Sequence, residues 1–522
     1  MSLFNRVSLI KQLQENSNWD VIVIGGGATG LGVALDSITR GYKTLLLEQI
    51  DFAKGTSSRS TKLVHGGVRY LAQGNIDLVK EALYERGLML KNASHLVKDQ
   101  SFIIPNYKWW DNFFYTVGLK IYDFLAGKLS FGKSIRINKD ETTFRLETLK
   151  SENLKGGVVY HDGQFDDSRL AVNIAQTCIE KGATVLNHCK VKKLLKNEKS
   201  IVNGVVVEDT ETEISYKLNA KIVINATGVF TDDVLQMDDA NAKNIVRPSQ
   251  GVHLVLDQSF LPGNDAIMIP KTDDGRVLFL VPWHNKVVVG TTDTLLDSHS
   301  LEPKPLEEEV NFILNTANRY LNKKVSREDV LSVFAGLRPL AAPKDKSEKT
   351  KEISRSHKII VSKSKLITIT GGKWTTYRRM AQDTINKAII VGKLPKKRNQ
   401  TKQLSIHGNM KNVDRSNHLY IYGSDQKAIE LLINKSPELG KKLHKRLAYT
   451  KAEVIWAIRN EMARTVDDIL ARRVRALFLD AKAAIEITPE VASILAKELN
   501  KDETWQQQQI KEFTTIANQY VL

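Results

Sequence analysis

Asp20-Val21-Ile22-Val23-Ile24-Gly25-Gly26-Gly27-Ala28-Thr29-Gly30 opens a strand-turn-helix unit. A β-branched run breaks at a glycine cluster and is followed by the apolar-periodic segment Leu31 to Arg40. A second apolar run, Lys43 to Glu48, closes the unit, so the order predicts strand, turn, helix, strand. The turn matches GxGxxG in the only context that makes the pattern informative, after a strand and before a helix. Gly25 suits a tight turn, Gly27 lets backbone approach a pyrophosphate, and Gly30 lets helix pack on strand. The helix N-terminus then offers N–H groups and partial positive charge to the phosphates. Glu48 stands about 20 residues on, where an acid accepts hydrogen bonds from the adenosine ribose. An acid there rather than Arg or Lys argues against a 2′-phosphate and leaves FAD or NAD.

Outward from this unit, strand-like runs recur at Gly157 to Tyr160, Ala183 to Leu186, Val205 to Val207 and Lys221 to Asn225. A helical stretch near Ser168 to Lys181 lies between the first two, which predicts a mixed α/β architecture. Val277 to Val281 and Val287 to Val289 read as paired strands of an antiparallel sheet, a substrate-side layer. After about residue 400 strand formers become few. Glu453 to Leu479 shows helical spacing of apolar residues, with Arg459, Arg464, Arg472, Arg473 and Arg475 interleaved with acids as on a solvated helix face. Lys344 to Lys358 is polar and without periodicity, an exposed excursion.

At 522 residues the chain is long enough for two or three structural units. Its 76 Lys and Arg against 59 Asp and Glu give a net charge of +17, which calls for an anionic partner. Nucleic acid is disfavoured, because no zinc-finger, RNP or basic-zipper pattern occurs and the basic residues are dispersed. The two cysteines, Cys178 and Cys189, stand in no metal-ligand spacing, so neither a metal site nor a disulfide framework is expected. Met1 to Trp19 lacks the apolar run of a signal peptide and is expected to be retained. The richest apolar stretch, Trp109 to Leu125, is broken by Asp111, Lys120 and Asp123, which argues against a membrane span.

Two further small-residue turns suit a long dinucleotide. Ile222 to Asn225 runs into Ala226-Thr227-Gly228. The strand Leu366 to Thr370 runs into Gly371-Gly372-Lys373, ahead of a helix start at Thr375-Thr376. The latter is not a P-loop, since the upstream Gly is missing and Trp374 stands where Ser or Thr belongs.

Taken with Thr56-Ser57-Ser58-Arg59-Ser60-Thr61-Lys62-Leu63-Val64-His65-Gly66-Gly67-Val68-Arg69-Tyr70-Leu71, Asp166-Asp167 with Arg169, Gly290-Thr291-Thr292-Asp293, Gly336-Leu337-Arg338-Pro339-Leu340, Ser354-Arg355 and Gly371 to Arg378, these segments resemble the FAD-dependent glycerol-3-phosphate dehydrogenases of the D-amino-acid-oxidase-like superfamily. Arg459 to Arg473 resembles the helical C-terminal domain of the same family. Leu337 and Trp374 depart from the expected pattern. The resemblance implies a Rossmann-like FAD-binding domain, an antiparallel-sheet substrate domain and an α-helical C-terminal domain. It divides the chain into an oxidoreductase region, 1–400, and a helical domain, 401–522. FAD-binding segments fall at about 18–95, 155–240 and 335–400, and cap segments at about 96–154 and 241–334. Thr56, Ser57, Ser58, Ala226, Thr227, Gly228, Gly371, Gly372, Lys373 and Thr375 join Gly25, Gly27, Gly30 and Glu48 around FAD.

The implied reaction converts sn-glycerol 3-phosphate to dihydroxyacetone phosphate, with electrons passed to a quinone at an anionic membrane surface. A peripheral place on the cytoplasmic face of the inner membrane goes with it. Alternatives are an oxygen-using glycerol-3-phosphate oxidase, or a relative acting on a hydroxy acid or amine. Oxidising a secondary alcohol needs a group for the hydroxyl proton and cations around the phosphate. Arg69, Tyr70, Arg338 and Arg355 are the substrate-binding candidates, arginine because its planar fork matches phosphate oxygens. His65, Lys373 and Arg338 are the catalytic candidates, and residue types do not rank them as proton acceptor. Oligomeric state is left open, a homodimer among the options.

Overall fold

The computed structural model describes residues 3–72, 74–272, 275–341 and 357–522. Asn18–Ile24 lies in the middle of an eight-stranded sheet, parallel to Thr44–Leu47 on one side and Ser215–Asn225 on the other. Val21, Ile22 and Val23 have no exposed surface, because helices cover both faces and a central parallel strand has no solvent side. The glycine turn leaves the carboxyl end of this strand, and Ala226–Gly228 leaves the same end of its neighbour. A crevice outside the carboxyl ends of two such strands is where open α/β sheets take ligands. Ile367–Thr370 joins parallel beyond Ser215–Asn225, so the third turn, Gly371-Gly372, opens onto the same edge.

A second, ten-stranded sheet is largely antiparallel and built around two long pairs, Val246–Asp257 with Val330–Ala341 and Val97–Asn106 with Gly156–Phe165. Leu278–Trp283 and Lys286–Gly290 form an antiparallel pair within it, as the alternation of Val residues predicts. Helix Glu307–Tyr320 covers one face through Val310, Ile313 and Ala317.

The C-terminal part is helical, and its apolar residues run without interruption into the core of the first sheet. The stretch from Glu453 to Asp480 is not one helix with a solvated face. Lys451–Asn460 stops, Asp468–Arg473 is a wider π turn, and Ala476–Leu479 follows Arg475, which sits in the left-handed region at φ 54°. Arg472, Arg473 and Arg475 are fully buried. The reason is their partners. Asp51 accepts from Arg472 at 2.5 Å and from Arg473 at 2.6 and 2.9 Å, while Arg475 donates to Asp167 at 3.1 Å. A buried charge persists only when it is paired in this way. Arg459, paired with Glu498, does face solvent as expected. Most of the Lys344 to Lys358 excursion, 344–356, lies outside the described residues.

Trp109–Ala126 is a single helix. Leu119, Tyr122 and Ala126 pack inward, whereas Phe113, Phe114, Val117, Ile121 and Phe124 are exposed, Phe124 at 83%. Among the described residues no helix is long and apolar enough to cross a membrane.

Candidate active site

The three turns line one elongated cavity of about 670 Å³. At one end are Gly25, Gly27, Ala28 and Glu48, with Lys190 and Val191 from the adjoining strand. Gly25 holds φ at 109°, and a Cβ there would come within 2.7 Å of the Ala226 carbonyl, so only glycine closes this turn against its neighbour. Glu48 accepts the Gly26 N–H at 2.6 Å and the Ile50 N–H at 3.0 Å. Burial nevertheless raises its pKa. Gly30 is buried behind the turn against the Gly25 carbonyl, and does not line the cavity.

The middle of the cavity is lined by Lys54, Gly55, Thr56, Ser57, Arg59, Ser60 and Thr61. The Ser57 hydroxyl accepts the first helical N–H, that of Ala28, at 2.9 Å, tying this loop to the glycine turn. Thr56 Oγ1 donates to the Leu337 carbonyl at 2.5 Å. Trp374, the departure from the family pattern, donates its indole N–H to the Ser57 carbonyl at 2.9 Å and meets Phe165 edge-on. Its bulk therefore secures the loop. Ser58 is buried and faces away from the cavity lining, its carbonyl held by Lys62 at 2.7 Å and Arg475 at 2.9 Å.

The far end is lined by His65, Tyr70, His253, Phe279, Arg338 and Lys373. Arg338 donates to the Gln250 and Thr292 carbonyls at 3.2 and 3.1 Å and to Thr291 Oγ1 at 3.2 Å, with Asp293 at 3.4 Å. These bonds fix the guanidinium plane at the cavity wall with a quarter of the side chain exposed. The Lys373 ammonium sits 3.8 Å from the centroid of the Tyr70 ring, a cation–π contact that keeps it in the cavity. Four potential cations or proton carriers, His65, His253, Arg338 and Lys373, thus line the same cavity. Among predicted residues, the side chain of Arg69 and the whole of Arg355 lie outside the described residues. Ala226, Thr227, Gly228, Gly371, Gly372 and Thr375 all line the cavity.

Sequence reasoning did not single out His253. It is buried, stacked on Phe334 with ring centroids 4.8 Å apart, and its Nε2 lies 2.9 Å from Thr61 Oγ1. Burial first, then the cations Lys62 and Arg338, hold it well below the usual imidazole range, so it is neutral. A histidine in the middle of the apolar run Val252 to Leu256 was the available signal.

The chain matches the FAD dependent oxidoreductase family over residues 20–378 and the C-terminal domain of alpha-glycerophosphate oxidase over residues 362–507. It is 40% identical over 548 residues to the mitochondrial glycerol-3-phosphate dehydrogenase of Rattus norvegicus, covering 98% of this chain and 74% of the relative. With the Homo sapiens protein of the same name it shares 41% over 545 residues, 97% and 74% of the two chains. The solved glycerol-3-phosphate dehydrogenase from Bacillus halodurans, complexed with FAD, is 29% identical at a TM-score of 0.80, covering 100% of this chain and 98% of that one. A glycine oxidase from Geobacillus kaustophilus, 15% identical over 76% of this chain and 100% of its own, shares the fold at a TM-score of 0.54.

Proposed function

The chain belongs to the FAD-dependent glycerol-3-phosphate dehydrogenases, and on that premise we propose that it oxidises sn-glycerol 3-phosphate at the Arg338 end of the cavity and passes the electrons to a quinone. The observation that carries this reading is the single cavity. A dinucleotide cradle at one end continues into a cationic pocket at the other, which suits FAD lying along it with a small anionic alcohol at its ring. The bound flavin supplies the hydride acceptor. The chain's own residues do the rest. Arg338, held in one plane, offers a fork to the phosphate or to the oxygen on C2, and Lys373 adds a compact charge beside it. His65 is the imidazole able to take the hydroxyl proton, since burial and the cations Lys62 and Arg338 make His253 a poor base, and Tyr70 and Phe279 help exclude water.

Membrane contact and the quinone acceptor draw support from Trp109–Ala126. Phe113, Val117, Ile121 and Phe124 follow one another at helical spacing on its outer face with exposed Lys120 at the margin, the composition of a helix lying in a lipid interface. Tyr122 on its inner face adjoins Gly66, where a Cβ would come within 2.4 Å of the phenol oxygen. The helix therefore abuts the His65–Gly67 turn of the cavity, a short route for a lipid-borne acceptor.

Anaerobic titration with glycerol 3-phosphate should bleach the flavin, and ubiquinone-type acceptors should restore its colour faster than air. Equal bleaching by glycerol or by a hydroxy acid would overturn the substrate. Arg338→Ala should lower kcat/KM on the order of 10- to 100-fold with flavin content unchanged, and Arg338→Lys should fall between.

A further inference from the structure

No residue of 401–522 lines the cavity, yet Asp467 and Arg475 grip the loop that does and Tyr520 holds Glu302, which grips it in turn. Asp467 accepts from Lys54 at 2.8 Å. Arg475 donates to the Ser58 carbonyl at 2.9 Å and to Asp167 at 3.1 Å, and Asp167 also accepts from Ser60 Oγ at 2.7 Å and Lys62 at 2.8 Å. Tyr520 donates to Glu302 at 3.2 Å, and the same carboxylate oxygen accepts from Arg59 at 2.6 Å, while Lys54 closes the set on Glu302. Lys54, Ser58, Arg59 and Lys62 are all buried.

A buried ion pair is a poor way to gain stability, because desolvation offsets most of the attraction and packed apolar side chains would serve as well. What it supplies is direction. A carbonyl met by two cations and a lysine held between two carboxylates admit one arrangement of the backbone between them. The backbone so fixed is Lys54–Lys62. Arg475 itself sits just after the π turn in the left-handed region at φ 54°, a conformation that residues other than glycine seldom adopt.

We propose that the C-terminal helical unit is the positioning element of the cofactor loop: Asp467, Arg475 and Tyr520 hold Lys54–Lys62 in the geometry the flavin requires, so this unit governs flavin retention and turnover without touching flavin or substrate. The inference rests on the reading of that loop as a flavin contact. Asp467→Asn keeps the volume and removes one charge, leaving Lys54 with Glu302 and Arg472 with Asp51 and Asp468. Tyr520→Phe removes one hydroxyl and leaves the fold's packing intact.

The test uses the full-length holoenzyme with Arg459→Gln, at an exposed pair, as reference. FAD affinity of the deflavinated protein, the visible circular dichroism of bound flavin, Tm, and kcat at saturating FAD are measured together. Asp467→Asn should weaken FAD binding about tenfold, alter the flavin dichroism and lower kcat, with KM for glycerol 3-phosphate within about twofold. Tyr520→Phe should shift the same quantities in the same direction by a few fold, and decides the matter if Asp467→Asn does not fold. Variants that lose Tm but keep wild-type FAD affinity, dichroism and kcat overturn the proposal, leaving the domain a purely structural attachment. Wild-type protein that takes up no FAD would instead overturn the flavin reading itself, and the inference with it.

Discussion

Trp109–Ala126 and the stretch from Asp467 to Asp480 are inverted with respect to their composition. The first is among the most apolar segments of the chain and turns five large apolar side chains to the outside, Phe113 at 74% and Phe124 at 83% exposed. The second carries three arginines among three aspartates and is almost wholly inside, Arg473 and Arg475 at 0%. Composition describes what a segment could bury. Which partners arrive from elsewhere decides what it does bury. The arginines are met by Asp51 and Asp167, whereas Phe113 and Phe124 stay exposed among the described residues, the feature on which the proposal of lipid contact rests.

The comparison breaks first at Asp51. Asp51→Asn strips Arg473 of its close carboxylate and Arg472 of one of three, leaving the buried Arg473 charge poorly compensated, which should lower stability by about 3 to 5 kcal/mol. Denaturant midpoints measure it, and a wild-type midpoint would mean the cluster is hydrated. On the other side, Phe113→Glu and Phe124→Glu should each weaken binding to anionic vesicles about thirtyfold, the equivalent of roughly 2 kcal/mol for one phenylalanine withdrawn from lipid. Tm and turnover with a soluble dye should not change. Cosedimentation equal to wild type would remove this face as the attachment site.

A smaller effect sharpens the contrast at the domain junction. His407 lies between Glu180 and Asp425 at 2.6 and 2.7 Å. Burial would lower its pKa, but the hydrogen bonds to Asp425 and Glu180 and their charges raise it from 6.5 to about 9. A raised value means the imidazolium stabilises the fold fully below about 6.5 and loses that contribution as pH climbs through about 9. Unfolding free energies from urea titrations should fall over that window by on the order of 1 kcal/mol, and His407→Asn should be flat across it. Smallest of all, Arg459→Ala, at the exposed pair with Glu498, should change stability by no more than about 0.5 kcal/mol. A loss as large as that of Asp51→Asn would mean that exposure does not separate the two kinds of arginine.

Legibility followed the same division. The strand-turn-helix at Asp20–Gly30 could be read because its pattern is local: β-branched residues make the strand and the glycine spacing marks the turn, even though Gly25 is required by the distant Ala226 carbonyl. The turns at Ala226 and Gly371 were legible for the same reason. The burial of Arg472, Arg473 and Arg475 was not, since an alternation of charges looks alike on a wet helix face and in a paired core, and Asp51 stands more than 400 residues away in sequence. The Asp166-Asp167 pair was noticed as a motif, but nothing local says that Asp167 meets Arg475. His253 hid inside an apolar strand, where its bond to Thr61 depends on a loop 192 residues away in sequence. The apolar run at Trp109 was weighed only as a failed span, because length and charge decide spanning while outward orientation decides lying flat.

Trp374 has a consequence for observation. Its indole lines the cavity, is hydrogen-bonded to the cofactor loop and is rigidly stacked edge-on between Phe165 and Tyr377. With flavin bound in the cavity as proposed, emission from this ring, one of seven tryptophans in the chain, should fall on loading and recover when the flavin leaves. The chain thus carries its own optical gauge of occupancy, readable in a cuvette with no label attached.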